Sequence, residues 1–358
     1  IGCLHPSPDR SRRARHGLEV SKTKFGVGVA GCGVIGSRRA LVAANSENCR
    51  VAAVSDRLPS RMDELAAETG AEAVAEWEDM VERDDVDIVI VSTSNNFLAP
   101  ISLAALNAGK HVLCEKPMCV NSHEAKELSA AVKESGCYLE VGYNHRYHPA
   151  VKMAYSLYRE GSLGELMYMR CRYGHGGRRG YEKEWRMDPE FSGGGELLDQ
   201  GVHAIDLFRW FLGDFTEAVG MTENWVWKSQ VEDNAFALFR TSSGKVATLH
   251  ASWTQWKNLF CLEIFGDSGS VEVDGLGGSY GTEKLTFHER NKEGGPPKIE
   301  KWEFEGKDTS WKEQWDDFLE AVSSGRSSMA AGVEDGLAVI QLTDAVYGSS
   351  QAGFGIKS

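Results

Sequence analysis

Glu115-Lys116-Pro117 is the stretch of this chain best placed to do chemistry. The lysine follows a short apolar run, His111-Val112-Leu113-Cys114, and the proline fixes the backbone just after it. Well before it lies Gly31-Cys32-Gly33-Val34-Ile35-Gly36. A dinucleotide-binding sheet would bring the strand end at Lys116 to the nicotinamide. A lysine there can touch a reacting hydroxyl, which implies a dehydrogenase and not merely a nucleotide binder.

The glycine pattern has a physical reading. Gly31 permits the tight turn, Gly33 lets the backbone approach a pyrophosphate, and Gly36 lets the helix pack closely on the strand. The helix that opens at Val34 and Ile35 then offers N–H groups and its positive dipole end to the phosphates. The alternative is a Gly-rich turn without a ligand. Context favours the site, because the pattern follows a strand, opens a helix and is followed about twenty residues later by Asp56 at the end of a second strand. Asp56 would accept hydrogen bonds from the adenosine ribose and repel a 2′-phosphate, which favours NAD. Arg57 beside it could pair with that phosphate, so NADP stays possible; Asp56 could also simply form a turn. Ser92-Thr93-Ser94-Asn95-Asn96 follows another buried strand, and Thr93, Asn95 and Asn96 could line the dinucleotide crevice or form an ordinary polar turn and helix cap.

Asp199 and His203 stand four apart, after Gly193-Gly194-Gly195. On a helix this spacing puts both side chains on one face. Histidine can take and return a proton near neutral pH, and a carboxylate beside it would set its tautomer and raise its basicity. The plainer reading is a surface ion pair, or a core histidine satisfied by Asp199. Arg178, Arg179 and Arg186 flank a Gly-rich loop before that helix and could receive a carboxylate or a diphosphate, or remain solvated. With GYEKEWR (residues 180–186) this loop suggests a nucleotide-sugar or sugar-acid substrate.

The elements that must position these residues are legible as a pattern. Strands are expected over 24–30, 50–55, 86–92, 110–114 and 138–143, alternating with helices over 35–46, 61–69, 78–83, 100–108 and 122–135. That alternation means a parallel sheet covered on both faces. After Arg146 the pattern changes. A helix over 149–160 precedes strand-like runs over 166–173, 218–226, 234–240, 245–253, 260–265, 270–273 and 300–305. These imply a mostly antiparallel sheet open on one side, with helices over 196–211, 311–323 and 333–348 and an exposed hairpin loop over 291–298. The expected fold class is α/β: an N-terminal doubly wound Rossmann domain (24–146) and a C-terminal α+β domain with a large open sheet (147–358). Residues 1–23, with Arg10, Arg12, Arg13 and Arg15, read as a disordered leader; Arg12-Arg13 lacks the apolar stretch of a twin-arginine signal. Trp225, Trp227, Trp253 and Trp256 are expected in strands of the open sheet, packing its core or face. An apolar outer face would need covering by a second subunit.

With 358 residues, 42% hydrophobic and 25% charged, the chain can build two cores. A net charge of −13 argues against broad nucleic-acid binding. The eight cysteines include no C-x-x-C pair and no His/Cys cluster, so zinc is not expected and a reduced, cytoplasmic setting is. No apolar run approaches a membrane span.

Taken together, VAGCGVIG (29–36), HVLCEKP (111–117), VGYNHRYHPA (141–150), EWR (184–186) and GGGELLDQGVHAIDLFRWFLG (193–213) resemble the Gfo/Idh/MocA family of oxidoreductases, over about residues 24–353. The resemblance implies hydride exchange between NAD(H) or NADP(H) and a carbon of a sugar, nucleotide sugar or cyclitol. It implies Lys116 and His203 as the catalytic pair and Asp199 as substrate ligand and histidine partner. Glu115 and Asn144 become nicotinamide-side contacts, Trp185 and Arg186 cofactor contacts from the second domain, and Arg146 a substrate contact. A homodimer or homotetramer is implied as well. One departure stands out: many members carry Pro and His in a T-P-N-x-x-H turn, where this chain has Ser94 and Leu98. Two other classes stay open, a glycosidase using transient oxidation by bound NAD and a non-enzymatic sensor; retention of Lys116, Asp199 and His203 together argues against the sensor.

Overall fold

The computed structural model describes residues 24–325 and 329–353, so the leader expected over 1–23 lies outside the described residues. The first sheet contains β1 (Phe25–Ala30), β2 (Cys49–Ser55), β3 (Glu72–Ala73), β4 (Ile88–Val91), β5 (His111–Cys114) and β6 (Leu139–Val141), in the order β3-β2-β1-β4-β5-β6 with every pair parallel. β4 reads Ile-Val-Ile-Val and is buried throughout, as a parallel strand covered on both faces must be. Helices α1 (Val34–Ala44), α2 (Pro59–Thr69), α3 (Trp77–Val81), α4 (Asn95–Asn107) and α5 (Ser122–Ser135) connect the strands. Local chemistry sets their ends. Asn121 caps α5 by accepting the His123 and Glu124 N–H groups, and Gly136 closes it in the left-handed region at φ 69°. α4 begins five residues earlier than the proline suggests, so Pro100 lies inside it. Pro100 forfeits one backbone bond there, and burial of Leu98, Ala99, Ile101, Ala105 and Leu106 on the same helix offsets the loss.

The second sheet is built after α6 (Pro149–Arg159) from β7 (Leu166–Gly174), β8 (Phe215–Glu223), β9 (Asn234–Thr241), β10 (Val246–Ser252), β11 (Leu259–Gly266), β12 (Gly269–Asp274), β13 (Glu283–Glu289) and β14 (Lys298–Phe304). Their order is β14-β13-β12-β11-β7-β10-β9-β8, antiparallel except for β7 beside β10. The glycine segment leads through α7 (Pro189–Ser192) into a π-helical turn over Leu197–Gly201 and then α8 (Val202–Leu212), where one continuous α-helix is expected. β8 stops before the tryptophans, because the Asp233 carboxylate takes the N–H groups of Trp225, Val226 and Trp227 away from the ladder. All four tryptophans expected in strands lie in loops: Trp253 is fully buried, while Trp225 and Trp256 are exposed.

Two late helices return to the first sheet. α9 (Ser310–Ser324) places Trp315, Phe318, Leu319 and Val322 in one cluster with Val27, Val29, Val54, Ile88 and Ile90. Burying a side chain the size of Phe318 stabilises by about 1.5–3 kcal/mol. α10 (Val333–Ala352) packs on α5 and β8, and the segment before it extends the edge beyond β6, with the Val141 N–H on the Ala331 carbonyl at 2.8 Å. One face of the second sheet stays open and carries Val219, Met221, Phe236 and Leu238, all exposed. No described helix is long and apolar enough to cross a membrane. The seven described cysteines are unpaired.

Candidate active site

The turn after β1 has the form its glycines require. Gly31 sits at φ +93°, and a Cβ there would lie 2.5 Å from the Ser92 carbonyl oxygen. A Cβ on Gly36 would lie 1.8 Å from the Gly31 oxygen, so helix and strand meet backbone to backbone. Gly33 is different: a Cβ there meets nothing closer than Arg61 Nη1 at 3.9 Å. The open space beside Gly33 and the uncapped start of α1, with Val34 exposed, suit a pyrophosphate. Asp56 is oriented on this turn: Oδ2 accepts the Cys32 N–H at 2.7 Å and Oδ1 the Leu58 N–H at 2.8 Å. Arg57 is exposed beside it.

Lys116 emerges where β5 ends and reaches into the second domain. Its Nζ donates to Asp199 Oδ1 at 2.8 Å and to the Asp199 carbonyl at 2.5 Å. Asp199 Oδ2 accepts from Arg186 Nε at 3.2 Å. Burial alone would raise the Asp199 pKa, but Lys116 and Arg186 outweigh it and hold the carboxyl well below its ordinary range. Arg186 also reaches Glu184 and lies over the half-buried Trp185 ring, 4.7 Å from its centroid. Glu115 is gripped through Oε1 by Arg39 Nε at 2.9 Å and Nη2 at 2.7 Å, and Arg39 lies under the Trp311 ring at 4.5 Å.

His203 is buried, and burial followed by the Lys116 charge pushes its pKa well below 6.5. Its Nδ1 is sealed without a partner, so Asp199 is not the carboxylate that fixes its tautomer. The expected Asp199–His203 pairing is corrected on this point, because the aspartate is engaged by Lys116 and Arg186 instead. The His203 ring lies on His145, with centroids 3.7 Å apart and planes 15° apart.

Three further groups of expected site residues have partners within the protein. Arg146 does not face the crevice: it is 3% exposed, grips Asp206 through Nε at 2.8 Å and Nη2 at 2.5 Å, and donates through Nη1 to the Met329 and Ala330 carbonyls. Asn144 is also buried, its amide donating to Ser310 Oγ at 2.8 Å. Asn95 donates to the Ser192 carbonyl at 2.8 Å and so ties α4 to the glycine segment, while Asn96 accepts from Ser94. Thr93 is half-buried on the same turn. Arg178 is paired with Glu184 at 2.6 Å, and Arg179 is exposed next to it.

Sequence reasoning missed Arg39, His145 and Glu196. Glu196 is fully buried, three residues before Asp199, with both carboxylate oxygens unpartnered. Burial and then Asp199 raise its pKa well above 4.5. Its position between three glycines and Asp199 was the available signal.

Residues 25–143 match the pattern described as "Oxidoreductase family, NAD-binding Rossmann fold", and residues 151–272 match the "GFO/IDH/MocA C-terminal domain". The chain belongs to the Gfo/Idh/MocA oxidoreductase family. Residues 25–143 are therefore the family's NAD-binding Rossmann fold. Among Gfo/Idh/MocA relatives, the 1,5-anhydro-D-fructose reductase of Ensifer adhaerens is 30% identical over 68% of this chain and 74% of its own length. The levoglucosan dehydrogenase of Pseudarthrobacter phenanthrenivorans is 26% identical over 61% of this chain, and the match spans 63% of the relative. A solved levoglucosan dehydrogenase complex with NADH and levoglucosan superposes with a TM-score of 0.83 over 92% of this chain and 98% of the other, at 23% identity, a likeness of fold. The 2,7-anhydro-N-acetylneuraminate hydratase of Escherichia coli is 30% identical over 69% of this chain and 67% of its own length.

Proposed function

We propose that this chain exchanges a hydride between NAD and a hydroxyl- or keto-bearing carbon of a sugar, nucleotide sugar or cyclitol. One observation carries the reading: the Lys116 ammonium, anchored on Asp199 at 2.8 Å, lies within electrostatic reach of buried His203 and, after burial, helps push its pKa well below 6.5. Bound NAD supplies or accepts the hydride. The chain's own residues manage the oxygen and its proton. Lysine has three N–H donors; two are engaged by Asp199, and the third is left for the reacting oxygen. That contact stabilises negative charge developing on the oxygen. His203, neutral and with Nδ1 sealed, takes or returns the hydroxyl proton through Nε2. Asp56 on the Gly turn supports NAD over NADP through the ribose hydroxyls.

Arg179, exposed at the mouth of the glycine loop, supports an anionic group on the substrate, a carboxylate or a diphosphate. The relatives named for anhydro sugars widen the set worth trying. The decisive test is a panel of levoglucosan, 1,5-anhydro-D-fructose, hexoses, hexuronates, inositols and UDP-sugars with both cofactors, read at the reduced-nicotinamide absorbance. A wild-type chain that binds NADH but turns over no member of the panel would sink the reading.

A second reading keeps the same residues but ends without net oxidation: the substrate is oxidised, cleaved or hydrated, and reduced again in one turnover. The relative named as a hydratase favours it. Turnover of a nitrophenyl glycoside or of 2,7-anhydro-N-acetylneuraminate with no net NADH change would select it. The exposed Val219, Met221, Phe236 and Leu238 support a homodimer or homotetramer formed through the open sheet face. Light scattering of the eluted protein at micromolar concentration is expected to give a multiple of the chain mass, and a monomer there would refute it.

A further inference from the structure

His145 is outside the machinery described so far, and its surroundings fix it unusually tightly. Nδ1 lies 3.3 Å from Asn144 Oδ1, and Nε2 lies 3.0 Å from the Tyr173 hydroxyl. The directions follow from the next contacts outward. Asn144 Nδ2 donates to Ser310 Oγ at 2.8 Å, and Ser310 Oγ donates to Asp308 Oδ1 at 2.6 Å. An amide used in this way turns its carbonyl oxygen to His145, so His145 carries its hydrogen on Nδ1. Nε2 is then the bare acceptor, and Tyr173 donates to it. The ring is 5% exposed, touches His148 edge-on at 5.5 Å and is held in one neutral tautomer.

His203 has no comparable hydrogen-bonded support. Its Nδ1 is unpartnered, and the carboxylate expected to orient it is engaged elsewhere. What it does have is the His145 face at 3.7 Å, with Tyr143 edge-on at 5.8 Å behind. We infer that His145 is a positioning residue: its neutral ring face, in place of a carboxylate, sets the orientation of the His203 imidazole and supports it once it is protonated. A stacked neutral ring fixes the plane of its neighbour, and its π face attracts a cation formed above it. The inference rests on the reading of His203 as the proton acceptor of a sugar dehydrogenase.

Two variants separate the ring face from the rest. His145→Phe retains the face and loses both hydrogen bonds. His145→Leu retains apolar bulk and loses the face. On the best substrate of the panel, kcat is expected within about threefold of wild type for Phe and at least about tenfold lower for Leu. KM and NADH affinity should stay within about twofold in both. Equal rates for Phe and Leu, high or low, would overturn the inference. A second arm needs no substrate: nitrogen-15 NMR of ring-labelled histidine. His203 should give one tautomer signal in wild type and in the Phe variant, and an averaged signal in the Leu variant; one signal in all three refutes the role. If no sugar is turned over, the dehydrogenase reading falls while this arm still decides His145. If the Leu variant does not fold, His145→Gln, which also lacks the face, takes its place with the same expected losses.

Discussion

Lys116 Nζ lies 2.8 Å from Asp199 Oδ1, joining residues 83 positions apart in the sequence, one just past the end of β5 and the other in the π-helical turn before α8. The pair shares its carboxylate with Arg186 at 3.2 Å, so one anion balances two cations. Asp199→Asn would leave those cations facing each other with no anion between them, and Lys116 would lose its charged anchor. Turnover should fall by about 10²-fold or more while NADH affinity changes by less than about threefold. Steady-state rates with an NADH titration check this, and unchanged turnover would count against the role given to Asp199.

Lys116→Ala and His203→Ala test the proposed oxygen-handling pair directly. On that proposal each should lower kcat by about 10²–10⁴, the loss of a proton-handling or charge-stabilising group. NADH affinity should change by less than about threefold, since the pyrophosphate turn is untouched. Fluorescence titration with steady-state rates gives both numbers. Unchanged turnover in both variants would remove the assignment.

Gly33 and Gly36 should fail in different ways. Gly33 has φ −72° and ψ −173°, open to any residue, and its Cβ would meet only Arg61 Nη1 at 3.9 Å. Gly33→Ala should therefore leave apo stability within about 0.5 kcal/mol while weakening NADH binding about tenfold or more. Gly36→Ala drives a methyl to 1.8 Å from the Gly31 oxygen and should cost about 1–3 kcal/mol of stability before any cofactor is added. Denaturant melts of the apo proteins and NADH titrations separate the two. Equal loss of stability in both would contradict the open-cradle reading of Gly33.

What could be read from the sequence was what depends on near neighbours. The apolar strand before Gly31, the glycine turn and the alternation of strands and helices are local patterns, and all appear in the structure. β13 was missed because Glu283–Glu289 follows a Gly-rich loop and carries only two apolar residues, Leu285 and Phe287, its third buried position being Glu283. The late tryptophans look like strand residues until Asp233 collects three backbone N–H groups at once. The site was harder for the same reason. That Lys116 is polar and well placed is local; that it binds Asp199, and that His203 therefore goes without a carboxylate, depends on long-range packing. Asn144 and Arg146 look available in a short motif, yet Ser310 and Asp206, far along the chain, take them.

Glu140 gives a pH signature independent of catalysis. It is fully buried on β6, with one oxygen accepting from Gln314 Nε2 at 2.9 Å and the other unpartnered. Burial pushes its pKa up from 4.5 to about 8. Below pH 4.5 it is protonated in both folded and unfolded chains. Between there and about pH 8 the folded chain retains a proton that the unfolded chain has released, so stability falls as pH rises through this window. Glu140→Gln removes the effect. The variant's melting temperature should match wild type near pH 4.5 and exceed it increasingly up to pH 8. A difference that stays constant across that range would exclude the shifted carboxyl.

The return of α9 to the first sheet bears on how the chain is made. Trp315, Phe318, Leu319 and Val322 close a flank of β1, β2 and β4, and they are translated only after the entire second sheet. As the nascent chain leaves the ribosome, its nucleotide half emerges first and is completed last. A fragment ending before Ser310 therefore leaves that flank bare to water.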